Sequence, residues 1–138
     1  MPASFVDTNV LAYLASSDTA KADRAEQLLC AGATVSVQVL NEIANVLRHK
    51  AGLSWDETRA FLTMVRSLAT VEPLTIETHE EGLRISERYR LSFYDGLIVA
   101  AARLAGCDRI WSEDMQDGLS IDGALRIENP FRIDPSIR

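Results

Sequence analysis

Ser92 to Ala105 reads SFYDGLIVAAARLA, an apolar run from Leu97 to Ala102 that meets no charged residue until Arg103. A helix hydrophobic on every side has no face to turn to water, so it belongs inside a domain, covered by other elements. Its alanines let the backbone approach a neighbouring sheet closely, which would hold its one carboxylate, Asp95, at the mouth of that sheet. Ser92-x-x-Asp95 also fits a capping pattern, in which Ser92 accepts a backbone hydrogen bond and Asp95 favours the positive helix end. The two readings separate only if other acids converge on the same point.

Outward from this helix, strands and helices alternate. Ala3 to Val6 is a short apolar run that ends on Asp7-Thr8-Asn9 and gives way to helical spacing over Val10 to Leu14. In open α/β sheets the ligand crevice lies beyond the carboxyl ends of the strands, where Asp7 falls; Asp, Thr and Asn are equally ordinary helix caps. Ser16 to Thr19 reads as a loop, Lys21 to Cys30 as a second helix closed by Gly32, and Thr34 to Val37 as a strand. From Gln38 to Lys50, Val39, Leu40, Ile43, Val46 and Leu47 fall at helical spacing, with Glu42, Asn45 and His49 on another face. Ser54-x-x-Glu57 is a capping box for a helix through Leu68, with Trp55 packing at its start, and Thr78-x-x-Glu81 is read as a second box for a helix through Tyr89. Ala69 to Leu74 and Arg109 to Ser112 read as strands, the latter ending on Glu113-Asp114, and Leu125 to Ile127 is the last strand candidate.

At 138 residues and 47% apolar content, the chain suits a single domain, 1–138, able to bury about two-thirds of its unfolded surface. Its core spans about 3–131, and the tail 132–138 is expected to fray. Cys30 and Cys107 have neither ligand nor redox spacing, and His49 and His79 form no cluster with them. Both thiols are read as buried and reduced in a cytoplasmic protein. The basic start and long apolar segment of a targeting or membrane sequence are missing. A net charge of −6 argues against a broadly basic nucleic-acid coat, but leaves room for a local basic rim.

The alternation predicts an α/β fold, a mainly parallel sheet between two helical layers, whose strand ends arrive on one edge. Asp7, Glu42, Asp95 and Asp114 would then meet there. Four carboxylates in one crevice repel unless a cation is present, and Mg²⁺ or Mn²⁺ suits an oxygen-only donor set. Such a site can hydrolyse a phosphodiester with metal-activated water and no protein nucleophile.

Phe5-Val6-Asp7-Thr8-Asn9-Val10-Leu11, the glutamate early in the third helix, Phe93-Tyr94-Asp95 before an alanine-rich helix, and Trp111-Ser112-Glu113-Asp114-Met115 together resemble PIN-domain ribonucleases. The likeness is closest to VapC toxins of bacterial toxin–antitoxin pairs, and it extends to the closing Asn129-Pro130-Phe131. It implies a PIN-like three-layer α/β/α sandwich, catalysis by Asp7, Glu42, Asp95 and Asp114, and metal binding by Asp7, Asp95 and Asp114. Thr8 or Asn9 would support Asp7 and Ser112 would support Asp114; Asp117 would either join the acids or cap the turn at Gly118. The resemblance further implies Mg²⁺-dependent cleavage of structured RNA, a homodimer, and inhibition by a VapB-like antitoxin. Arg48, Lys50 and Arg59 are the candidate RNA contacts.

Two other classes compete. Phosphoaspartate phosphatases and receiver domains also place an aspartate after the first strand. The phosphatases, however, carry a second aspartate where this chain has Asn9, and both need a late lysine, whereas no lysine follows Lys50. The other class is a non-catalytic module in which the acids hold a structural ion.

Overall fold

A computed structural model describes residues 4–132. Six strands form one sheet in the order β3-β2-β1-β4-β6-β5, every neighbouring pair parallel except β5 and β6. The strands are β1 (Ser4–Val6), β2 (Thr34–Ser36), β3 (Thr70–Glu72), β4 (Arg109–Trp111), β5 (Ser120–Ile121) and β6 (Leu125–Glu128). Helices α1 (Thr8–Leu11), α2 (Thr19–Cys30), α3 (Val37–His49), α4 (Trp55–Leu68), α5 (Ile76–Tyr89) and α6 (Phe93–Leu104) cover both of its faces. This is the expected three-layer α/β/α sandwich. The chain leaves β1 toward β2 and β3, then returns to the other side of β1 as β4. Right-handed crossovers therefore put helices on opposite faces, and a crevice opens where the strand order reverses, between β1 and β4.

Helix α6 is buried from Gly96 to Ala102, as its composition demands. It also packs tightly on α5 at a glycine: a Cβ added to Gly96 would lie 2.7 Å from the Gly82 carbonyl oxygen of α5. Phe5, Val35, Ile98, Ile110 and Ile127 lie in the same fully covered core.

Local hydrogen bonding moves several boundaries. Asp18 accepts from the Lys21 amide at 3.1 Å, so α2 begins at Thr19 and not at Lys21. Ser36 caps α3, which takes Val37 out of the strand. The α5 box is Thr75-x-x-Thr78, with Thr78 as its third helical residue, so the expected start at Thr78 lies three residues late. After α1 the chain continues as a 3-10 turn over Ala12–Ala15. The two-residue β5, too short for a visible alternation, is an element the sequence reading lacks. Cys107 is buried as expected, but Cys30 is exposed at the end of α2. Trp55 packs at the start of α4 on one face only, under the Arg48 guanidinium, and is otherwise exposed. Among the described residues no helix is long and apolar enough to cross a membrane. Ala3 and the tail from 133 to 138 lie outside the described residues.

Candidate active site

The crevice at the strand-order reversal is an open pocket of about 890 Å³. Asp7, Glu42, Asp95 and Asp114 all line it, with Thr8, Asn9 and Lys50. Its lining includes no histidine or cysteine, so the charged donors it offers are carboxylate oxygens.

Asp7 is the most constrained of the four. It follows β1 and is 3% exposed. One carboxylate oxygen accepts from the Thr8 amide at 2.7 Å; the other accepts from Asn9 Nδ2 and from Ser112 Oγ, both at 2.9 Å. Burial pushes its pKa up to about 7, the hydrogen bonds from Ser112 and the Thr8 amide oppose the rise, and the charges of Asp95 and Glu42 add to it. Withdrawal from water disfavours the ionised form, and like charges nearby act in the same direction. A cation would reverse both effects.

Thr8 and Asn9 connect this acid to its neighbours. Thr8 Oγ1 donates to Glu42 Oε1 at 3.0 Å, and Gln38, one turn earlier on α3, donates to Glu42 Oε2 at 3.0 Å. Asn9 Oδ1 accepts from the Glu113 amide at 2.9 Å. Ser112 Oγ, while donating to Asp7, accepts from the Met115 amide at 3.2 Å. The loop that carries Asp114 is thus tied by side chain to the residues after β1.

At Asp95 the helix cap and the pocket wall coincide. Ser92 caps α6 by accepting from the Asp95 amide at 3.2 Å, and the Asp95 side chain still lines the pocket. Burial raises its pKa, the Ser92 hydrogen bond opposes this, and Asp114 adds to the rise. The four acids share a pocket but do not form a ready cage. Among the described residues no group of three Asp, Glu, His or Cys side chains stands arranged to hold one ion.

Asp117 is elsewhere. Its carboxylate accepts from the Asn129 amide at 2.9 Å and from Arg132, so it clamps the segment after β6 and does not line the pocket. Of the candidate RNA contacts only Lys50 lines the pocket; Arg48 covers Trp55, and Arg59 lines a second groove. Sequence reading missed Glu113 as part of the wall. Tyr13 and Lys21 both donate to its carboxylate, Lys21 at 2.6 Å. Gln38 carried a readable signal, four residues before Glu42 on one helix, whereas Tyr13 and Glu113 are a hundred positions apart and carried none.

A family model described as the PIN domain matches residues 4–117. The chain is similar to a toxin–antitoxin complex from Klebsiella pneumoniae, with a TM-score of 0.71 and 20% identity over 95% of this chain and 100% of that one. It is similar also to Mycobacterium tuberculosis VapC20, a sarcin-ricin loop cleaving toxin, with a TM-score of 0.66 and 22% identity over 81% of this chain and 90% of that one. VapBC2 from Rickettsia felis, bound to a promoter DNA fragment, gives 0.66 at 16% identity over 91% of this chain and 97% of its own. No curated protein matches the chain.

Proposed function

The chain belongs to the PIN-domain family, and from that membership we propose that it is a metal-dependent endoribonuclease, the toxin half of a VapBC-type toxin–antitoxin pair. The single observation that carries this reading is the shared pocket of Asp7, Glu42, Asp95 and Asp114. Similarity of fold to a toxin that cleaves the sarcin-ricin loop supports structured RNA as the substrate class.

Asp7, Asp95 and Asp114 would hold Mg²⁺ or Mn²⁺. The fit rests on an oxygen donor set and on a buried Asp7 whose ionisation is opposed by burial and by its acidic neighbours. When bound, the ion supplies charge for the phosphodiester oxygens and lowers the pKa of water. The chain's own groups do the positioning. Ser112 and Asn9 hold the Asp7 carboxylate in one orientation, and Thr8 and Gln38 do the same for Glu42. Glu42, between them, would accept the proton of the attacking water. An acidic crevice also attracts guanidinium, which can engage two carboxylate oxygens at once, and an antitoxin arginine would block the site in this way. The homodimer and the cytoplasmic location belong to the same proposal.

The test is cleavage of RNA by purified protein with Mg²⁺, with Mn²⁺ and in chelator. Cleavage should require metal and fall by roughly 100-fold or more in Asp7→Asn, Asp95→Asn and Asp114→Asn, as expected when a ligand worth several kcal/mol to the transition state is removed. A folded Asp95→Asn that cuts as fast as wild type would refute the assignment. Metal binding with no cleavage of any RNA would favour the non-catalytic module. A trapped phosphoaspartate would favour the phosphatase class, against which Asn9 already stands: in the second-aspartate position it braces Asp7.

A further inference from the structure

Trp55 opens α4 and is 60% exposed, although a large aromatic ring gains more from burial than almost any side chain. Its backbone is held by the Ser54–Glu57 capping box around the helix start. One face of the ring is covered by the Arg48 guanidinium, 4.1 Å from the ring centre. That guanidinium is itself anchored, donating to the Leu53 carbonyl at 2.7 Å. The plane of the indole is therefore set in advance.

Arg59, Leu62 and Arg66 follow on the same helix, and at about 100° per residue they fall with Trp55 on one narrow stripe. Arg59, Leu62 and Arg66 line a groove of about 820 Å³ between α4, α3 and β3. From Trp55 to Arg66 the stripe is about 16 Å long, at 1.5 Å per residue. Just past the end of α3, two residues beyond Arg48, Lys50 lines the acidic pocket. The acids nearby do little to cancel this charge. Asp56 pairs with Arg59 at 3.4 Å with both side chains largely in water, a weak arrangement, and the Glu57 carboxylate accepts from the Ser54 amide.

We propose that this stripe is the track along which a single-stranded segment of RNA leads to the acidic pocket, with Trp55 as the platform on which one base stacks; the inference rests on the ribonuclease reading above. Lys50, Arg59 and Arg66 meet phosphates, and Arg48 fixes the ring from behind. Interleaved cations and a rigid open π-face match unpaired nucleic acid, because every base offers a face and every nucleotide a charge. An acidic protein segment would use the arginines but has no need of a stacking plane.

The experiment measures binding of a short mixed-sequence single-stranded RNA, and of the same sequence as a duplex, in chelator so that nothing is cut. Trp55→Ala should weaken single-strand binding about tenfold, Trp55→Phe should restore most of it, and duplex binding should change little because paired bases cannot stack on the ring. Arg59→Ala and Arg66→Ala should each lower the salt slope for the single strand by about 0.7. Emission lost on RNA binding by wild type and not by Trp55→Phe would identify the indole as the stacked group. Unchanged single-strand affinity in Trp55→Ala overturns the track while leaving wild-type RNA cleavage as independent support for the nuclease. Retained RNA affinity with loss of a co-purifying protein partner would make the stripe a protein interface, which also overturns it. A wild type that neither binds nor cleaves RNA refutes both.

Discussion

Asp95 stands in the first turn of α6 and in the wall of the acidic pocket, and the same carboxylate can be tested for a capping role and for a metal-binding one. Its raised pKa means that above its ordinary value of 3.8 the folded state retains a proton longer than the unfolded chain does. Ionising it at neutral pH therefore costs stability, and below about pH 4 the cost disappears because the acid is protonated in both states. In chelator near pH 7, Asp95→Asn should melt higher than wild type by about 2 °C, with the gap closing as the pH falls below about 4. Added Mg²⁺ should raise the wild type more than the variant, since an ion that binds only the folded state stabilises in proportion to its affinity. A variant that melts lower in chelator, with no metal-dependent difference, would mean the charge acts only as a helix cap. Asp7 shows the limit of residue-level reading: its position after a strand was legible, but its Ser112 partner lies 105 positions away.

Helices α5 and α6 meet where Gly82 faces Gly96, the residue next to Asp95. An alanine Cβ at position 96 would fall 1.9 Å from Ser86 Oγ and 2.7 Å from the Gly82 carbonyl oxygen. The hydroxyl can rotate away, but the backbone carbonyl cannot. Gly96→Ala should cost about 2–3 kcal/mol in urea unfolding, the usual penalty of overpacking, and should lower RNA cleavage in the fraction that remains folded because Asp95 moves with its helix. Unchanged unfolding would show that the crossing has slack. Propensity and capping made the existence of α4 and α6 legible. They misplaced the start of α5, because Thr78 serves the box as its third residue and its spacing to Glu81 imitates a cap.

At the scale of the whole molecule, the antiparallel edge of the sheet is pinned to the helical layer through one side chain. Asp122, between β5 and β6, accepts from Arg84 at 2.7 Å, from Tyr89 at 3.0 Å and from Arg103 at 3.4 Å, joining α5 and α6 to the β5–β6 hairpin. Arg84 above all, with Tyr89 and Arg103, holds its pKa at about 2 against an ordinary 3.8. A depressed pKa contributes stability above the unfolded value and loses it as the pH falls. Asp122→Asn should thus melt below wild type at pH 7, with the difference shrinking between about pH 4 and pH 2. A gap independent of pH would assign the effect to packing. Chelator should leave it unchanged, because Asp122 lies outside the acidic pocket.

The sequence by itself determined the class of this protein. Period-two and period-3.6 apolar patterns, an all-apolar helix and acids placed after strands are local properties, and they dictate a parallel sheet between helices with a carboxylate-rich edge. Only the tertiary structure decided which acids share the pocket. Strand order brings β1 beside β4, so Asp7 and Asp114 line one crevice, while Asp117, three residues after Asp114, turns away to hold Asn129 and Arg132. The same holds for the cations: Arg48, Lys50 and Arg59 look alike in sequence, and only packing sends one to an indole, one to the pocket and one to a groove. Side-chain direction and long-range pairing arise when elements dock, and no local pattern encodes them.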